Sequence, residues 1–478
     1  MALLEAPPAP AVVSPQAGSG SRRWWGLFAI LSADLLNLLD GTVGNIAGPA
    51  IRAELGGSLA TLQWIVAGYT LAMAVGLLTG GRLGDMFGRK RMMMVGVGGF
   101  LAASLACALA FSPETLIIAR VLQGGFGALM VPQSFGLLRD LFGAQVGKAF
   151  AALGPVIGLA TILGPVVAGL LVEADLFGTG WRAIFLINLP LGAFAMYVGW
   201  KVLPDTPPAA RGSRLDVGGA VIAAIAMAML VIPLVQGHEL GWPAWTLGLL
   251  AASVPVFALF VAHQLRRTRA GRVPLVELSV FAKRSYAAGV AFVVAFFGAI
   301  TGFSVAVGFF LQLGLGYTPL AASLAMVSWA VGAFLGSGFG GAMMNRLGRH
   351  ILHIGLALMA AGLIGLYAVF SIAGRGVDGW DMAAPMLVFG LGMGMIFVPL
   401  FDIIVGGLAD REVGSASGML SSFQQLGASL GVAVLGTVFF SVRDFVAAAA
   451  LVTLITIALT AVTFALGFLL PRRARQSH

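Results

Sequence analysis

From residue 24 to residue 470 the chain is a succession of apolar runs of about 20 residues, separated by short segments that carry most of its charge. That pattern leaves few folds open. The hydrocarbon core of a bilayer is about 30 Å thick, and a helix needs about 20 residues to cross it. Backbone groups in lipid must be satisfied within their own segment, so such runs are helices. The chain is 59% hydrophobic and only 10% charged, against about 25% charged in a soluble domain. The reading is an all-α membrane protein with fourteen transmembrane helices, near 24–48, 59–80, 92–112, 115–137, 149–172, 183–203, 217–237, 245–265, 286–312, 319–344, 351–371, 382–407, 414–440 and 446–470. Residues 1–21, rich in Pro, Ala, Ser and Gly, read as a disordered tail. The first run is too long for a signal-peptide core, so it is expected to stay as the first span.

Lysine and arginine test this map independently through the positive-inside rule. With the N-terminal tail placed in the cytoplasm, 23 of the 28 Lys and Arg residues fall on the cytoplasmic side. Arg52, Arg182, Arg375 and Arg443 fall outside, and Arg120 lies within a span. Adding or removing one span would invert every later loop and destroy the bias. The expectation is a multi-pass protein of the plasma (inner) membrane with both termini cytoplasmic. The net charge of +9 then reflects loops facing an anionic leaflet, and no nucleic-acid partner is expected. One cysteine, Cys107, gives no disulfide framework, and of the five histidines only His350 and His353 have ligand-like spacing and are read as an interfacial pair, so no metal site is expected.

The loop after the second span runs Gly80-Gly81-Arg82-Leu83-Gly84-Asp85-Met86-Phe87-Gly88-Arg89-Lys90, and the loop after the tenth runs Gly340-Gly341-Ala342-Met343-Met344-Asn345-Arg346-Leu347-Gly348-Arg349-His350. The two share spacing at an offset of 260 residues. The chain therefore reads as two parallel six-helix bundles with a two-helix insert, an architecture of transporters. The expected divisions are a tail at 1–21, a first bundle at 22–210, the insert at 211–272, a second bundle at 273–471 and a tail at 472–478.

At 100° per residue, Asp34, Asn37, Asp40, Gly41, Gly44, Asn45 and Gly48 of the first span share a stripe about 140° wide. A membrane helix turns such a face to a cavity or a neighbouring helix. Either Asp34 or Asp40 is a candidate to exchange a proton or meet a substrate. Arg120 stands alone in the fourth span. A charge at a helix centre costs about 2.5–3.5 kcal/mol on insertion scales, so it needs a carboxylate, carbonyl or water partner. An arginine beside a carboxylate favours its charged form and burial disfavours it. A cavity opening to each side in turn would shift that balance and load or release a proton. Asp85 is expected to act as a gate contact in a tight turn. The fifth span carries Gly154-Pro155 and Gly164-Pro165-Val166-Val167-Ala168-Gly169, and proline inside a helix kinks it. Gln123, Asp402, Gln424 and Gln425 are further polar groups inside spans and candidates, with Asn37 and Asn45, to line a substrate path.

These residues also carry a family likeness. Gly81-x-Leu83-Gly84-Asp85-x-x-Gly88-Arg89-Lys90-Arg91 resembles the signature loop of the major facilitator superfamily. Leu39-Asp40-Gly41-Thr42-Val43-Gly44-Asn45-Ile46-Ala47-Gly48-Pro49, Arg120-Val121-Leu122-Gln123-Gly124-Gly125-Phe126-Gly127-Ala128 and Trp181-Arg182-Ala183-Ile184-Phe185-Leu186-Ile187-Asn188-Leu189-Pro190-Leu191-Gly192 resemble motifs of its fourteen-span drug:proton antiporter branch, the EmrB/QacA-like group. The likeness covers residues 24–470. It implies the major facilitator fold, proton coupling through the Arg120 run, a gate made by Gly81, Asp85, Gly88, Arg89 and Lys90, and an antiporter kink at Gly164, Pro165 and Gly169. Ala160 and Ala168 stand where that kink motif usually has glycine, and Asn345 replaces the gate acid in the second repeat.

The function this supports is proton-coupled efflux of small amphiphilic or apolar compounds, such as drugs or antibiotics, by a monomer in the bilayer. No cofactor is expected, the proton gradient being the driver. An uptake symporter would need more polar contacts to its cargo, and a non-transporting sensor would leave the embedded charges without a use. No HExxH, Walker loop or Cys/His cluster is present, so neither an enzyme nor an ATP-driven pump is expected.

Overall fold

The computed structural model describes residues 20–41, 43–143, 164–205, 208, 215–405 and 410–471. These residues form helices and turns, with no strand among them. The helices are α1 (Gly20–Asp40), α2 (Val43–Leu55), α3 (Leu59–Phe87), α4 (Arg89–Ala108) and α5 (Pro113–Phe142). Next come α6 (Gly164–Ala174), α7 (Ala183–Leu186), α8 (Asn188–Val202), α9 (Val217–Gln236) and α10 (Ala244–Arg269). Then follow α11 (Arg284–Phe309), α12 (Pro319–Ala325), α13 (Val327–Leu347), α14 (His350–Ala373), α15 (Gly379–Val405), α16 (Asp410–Ser441) and α17 (Phe445–Gly467).

Among the described residues, 12 helical segments are long and apolar enough to cross a membrane. They correspond to the expected spans except the first and the fifth. The first is broken at Gly41 into α1 and α2, and its polar stripe lowers its hydropathy. Of the fifth, residues 149–163, with Gly154 and Pro155, lie outside the described residues, and the remainder is the short helix α6.

Small residues decide which helices approach closely. On α3, a β-carbon at Gly76 would sit 2.6 Å from Ala128 Cβ, and one at Gly80 would sit 2.4 Å from the Ala128 carbonyl on α5. On α13, β-carbons at Gly336 and Gly340 would lie 2.1 Å and 2.6 Å from the carbonyls of Leu391 and Met395 on α15. Glycine is therefore required at both places, and close backbone approach substitutes for the hydrophobic drive that lipid removes. The two pairs sit at the 260-residue offset of the repeated loops. Both loops also turn through a glycine in the left-handed half of backbone space, Gly88 at φ 92° and Gly348 at φ 51°. The following arginines differ. Arg89 pairs with Asp140 at the end of α5, 3.1 Å away. Arg349 instead donates to the carbonyls of Phe468 (2.8 Å) and Leu470 (3.1 Å), where α17 ends.

The largest core holds an aromatic cluster, with Phe303, Trp329 and Phe389 packed ring against ring between α11, α13 and α15. Helices α3 and α16 meet along the middle of the molecule, where Ser422 Oγ donates to the Ala74 carbonyl (2.5 Å) and Ser429 Oγ to that of Ala67 (3.2 Å). On the side away from the Gly88 turn, Gly48 of α2 lies against Phe309 of α11, and Gly169 of α6 lies against Ser323 and Pro319 of α12. Helices α9 and α10 form a hairpin, and Thr437 of α16 donates to the Leu234 carbonyl of α9 (2.6 Å). The base of that hairpin is pinned by Asp216, which caps α9 at Gly219 and accepts from Gln264 (2.8 Å). It also meets His263 Nε2 at 2.9 Å.

Candidate functional site

Helix α1 ends at Asp40 and α2 begins at Val43, and the site is built at that break. Asp40 is the last residue of α1 and is 1% exposed. Arg120, also 1% exposed, reaches it from α5 and donates through Nη1 to Asp40 Oδ2. Its Nη2 donates to the Asp40 carbonyl (3.4 Å), and its Nε donates to the Ile65 carbonyl of α3 (3.1 Å). One guanidinium thus neutralises the carboxylate, takes a carbonyl freed by the helix break and ties α1 to α3 and α5. Its planar fork suits that task in a way an ammonium does not.

The remaining valences are filled by amides and hydroxyls. Gln123, one turn along α5 from Arg120, accepts from Arg120 Nη1 (2.8 Å) and donates to Asp40 Oδ1 (2.9 Å) and Ser104 Oγ of α4 (2.9 Å). Asn188, the first residue of α8, donates to Asp40 Oδ1 (3.2 Å) and Ser104 Oγ (3.2 Å). The Tyr69 ring of α3 faces the guanidinium at 4.3 Å, and its hydroxyl donates to Asn37 Oδ1 of α1 (3.1 Å). The contact requires Gly127, where a β-carbon would fall 2.4 Å from Asn37 Oδ1. Five helices and the helix break converge on one ion pair closed to solvent.

The structure brings Asp40, Arg120, Gln123 and Asn37 together, and adds Asn188, Ser104 and Tyr69, which the sequence reading did not single out as site residues. Asn188 is the one whose signal was present, a lone amide within an apolar run already noted for its pattern. Asp34 stands apart from Arg120. It is partly buried and accepts from Ser134 Oγ (2.6 Å), which lies 14 residues beyond Arg120 on α5, about 21 Å at 1.5 Å per residue. The Asn45 side chain lies outside the described residues.

At the other end of α3, Asp85 is half-buried in the last helical turn and makes no hydrogen bond or ion pair among the described residues. The basic residues of that turn are engaged elsewhere: Arg89 with Asp140, and Lys90 with Asp205 at 3.0 Å. Gly81 faces Pro132 at ordinary contact distance. Gly164 and Pro165 are the first described residues of α6, and Gly169 meets α12. Asp402 is exposed on α15, away from the pair. Gln425 donates to Met73 Sδ across the α3–α16 contact (3.3 Å), and Gln424 is half-buried one residue earlier.

The model of the Major Facilitator Superfamily matches residues 30–432, which include the broken helix, the buried pair and both repeated loops. The chain belongs to that superfamily. Among curated members, the chain is 47% identical over 88% of its length, and 73% of the other, to a Streptomyces coelicolor protein named "Probable actinorhodin transporter". It is 36% identical to a Streptomyces glaucescens "Tetracenomycin C resistance and export protein", over 90% of this chain and 78% of the other. A Streptomyces alboniger puromycin resistance protein is 34% identical, over 88% and 82% of the two chains. A solved peptide transporter of the POT family has the same fold at a TM-score of 0.65 and 14% identity, covering 96% of this chain and 98% of that one. With this membership the chain is a membrane transporter, not an enzyme.

Proposed function

We propose that this chain exports antibiotics or similar small amphiphilic compounds across the plasma membrane by proton antiport with alternating access, and that Asp40 carries the proton. The observation that carries the coupling is the closed Asp40–Arg120 pair at the break in the first span. A buried carboxylate is held charged here only while Arg120 stays on it. Moving α5 relative to α1 strips away that cation and makes the neutral, protonated acid the cheaper form. Protonation in turn releases Arg120 and the Asp40 carbonyl, so proton and conformation are linked in both directions. Broken helices at the membrane midplane serve transporters in this way. The relatives named for export of actinorhodin and tetracenomycin C support the direction and class of cargo.

The reading includes fourteen crossings arranged as 22–210, 211–272 and 273–471, with both termini cytoplasmic, and a monomer as the working unit. It is supported by the placement of Lys and Arg and by the recurrence of the α3–α5 glycine contacts in α13–α15. Asp34, Asn37, Asn45, Gln123, Asp402, Gln424 and Gln425 are assigned to proton or cargo contact along the path. Gly164, Pro165 and Gly169 are assigned to the kink that favours antiport, and Gly81, Asp85, Gly88, Arg89 and Lys90 to the gate. Asp85 takes its partner when the gate side closes. One charge moving through 100 mV releases about 2.3 kcal/mol, enough for a gradient of roughly 40-fold in a neutral solute at about 1.4 kcal/mol per decade.

Everted membrane vesicles given actinorhodin, tetracenomycin C and puromycin test the reading. Accumulation that collapses on adding an uncoupler is expected for at least one of them. Accumulation indifferent to the uncoupler contradicts proton coupling.

A further inference from the structure

A second pocket lies at the end of α3 opposite the Gly88 turn, with Gln63 two residues before Ile65, whose carbonyl accepts from Arg120. It is a cavity of about 330 Å³ where the α9–α10 turn meets the start of α3 and the end of α16, within the range of about 300–1,000 Å³ typical of small-molecule sites. Gln63, Val235, His238, Glu239 and Phe440 are among the residues that line it. Gln63 is 2% exposed, and its Oε1 has no hydrogen-bond partner. An orphan acceptor at that depth is costly unless a donor reaches it, so its presence beside a cavity points to a ligand. Glu239 is held in place because its Oε2 accepts from the Ala60 amide in the first turn of α3 (3.1 Å), and its Oε1 makes no hydrogen bond among the described residues. The turn that carries His238 and Glu239 is fixed by the Trp242 amide, which donates to the Gly237 carbonyl (2.7 Å).

We infer that this pocket is a second binding site for a neutral or cationic aromatic compound bearing O–H or N–H donors. Such a ligand places one donor on Gln63 Oε1, directs a second donor or a positive charge to Glu239, and lays its ring against Phe440 and Val235. An anionic ligand is repelled by Glu239. In the proposed orientation the pocket opens to the outer side, so the site is where cargo pauses on leaving. That role rests on the export reading, whereas binding itself does not. It also gives the α9–α10 hairpin a purpose, since two of the polar residues lining the pocket come from its turn.

The test uses the full-length chain carrying His238→Cys in phosphatidylcholine nanodiscs, whose headgroup has no N–H donor to compete. The native Cys107 is fully buried, so a membrane-impermeant maleimide reports on position 238, with the wild-type chain as background. Ethidium, an aromatic cation with two amino groups, is the probe and fluorescein the anionic counterpart. Ethidium is expected to slow labelling at least about fivefold and fluorescein to leave the rate unchanged. Adding Gln63→Leu should raise the ethidium concentration for half-protection about tenfold, the equivalent of one hydrogen bond to a buried acceptor. Asp40→Asn should leave protection intact. Equal labelling with and without ethidium, or equal protection by fluorescein, overturns the site. Vesicles that transport nothing while ethidium still protects would overturn the export role and leave the site standing.

Discussion

At the scale of single residues, the consequence of the buried pair is that its two members are not interchangeable with their nearest substitutes. Asp40→Asn keeps the size and most hydrogen bonds but cannot take up a proton, so uncoupler-sensitive transport should be lost while the protein still reaches the membrane. Uncoupler-sensitive accumulation at wild-type rate in that variant would remove the assignment. Arg120→Lys cannot serve Asp40 Oδ2, the Asp40 carbonyl and the Ile65 carbonyl at once. It should retain the charge but uncouple transport, seen as flux without a pH dependence. Arg120→Ala leaves Asp40 without its cation, held by Gln123 and Asn188 alone, and the acid then takes up a proton; a lower melting temperature in detergent reports the loss of the pair. The sequence alone singled out Asp34, Asp40 and Arg120 because charges inside spans are rare enough to count. It left open which of Asp34 and Asp40 meets Arg120, because helix periodicity puts both on one face and says nothing of depth along a neighbour. Ser104 and Tyr69 were illegible for another reason: a hydroxyl in a membrane helix more often bonds its own backbone, as Thr453 and Thr456 do here.

At the scale of elements, the glycine stripe of α3 fixes how near α5 comes and so where Arg120 points. Gly80→Leu forces side chain into the Ala128 carbonyl and should abolish folded protein, judged by gel filtration in detergent, whereas Gly125→Ala, with open space around it, should behave as wild type. The α9–α10 hairpin depends on Asp216. Burial pushes its carboxyl up, but hydrogen bonds from His263, Gly219 and Gln264 and the charge of Arg267 outweigh this and hold it below its ordinary value of 3.8. A depressed acid stabilises the fold above its unfolded value and loses that contribution as pH falls through the folded one. Asp216→Ala should therefore cost about 1–2 kcal/mol at neutral pH, mainly as a lost cap, and the gap from wild type should close only below about pH 4. A gap that stays constant down to pH 2 would contradict the charge argument. The two helices of the hairpin were legible from span counting. Its pin was not, because Asp216 is 47 residues from His263 and its neighbour Gln264, and looks like an ordinary loop charge. The first span was read as one continuous helix. Asp34, Asn37 and Asp40 of its polar stripe bond to neighbouring helices, and the break at Gly41 is a tertiary effect in which Arg120 takes up the Asp40 carbonyl.

At the scale of the whole molecule, the order of helices was largely written in the hydropathy pattern, because lipid permits only one solution for a long apolar run. The close α3–α5 and α13–α15 pairs were foreshadowed by the repeated loops. The turn pocket at Gln63 was not, since a glutamine near a span end looks like any interfacial residue. The account as a whole stands on one linkage, that cargo and proton compete through Asp40. Purified protein in weakly buffered detergent solution, titrated with tetracenomycin C below the pH at which Asp40 loses its proton, measures this directly. Wild-type protein should release protons on binding, and Asp40→Asn should bind the compound and release none. Equal proton release from the two proteins would contradict the account.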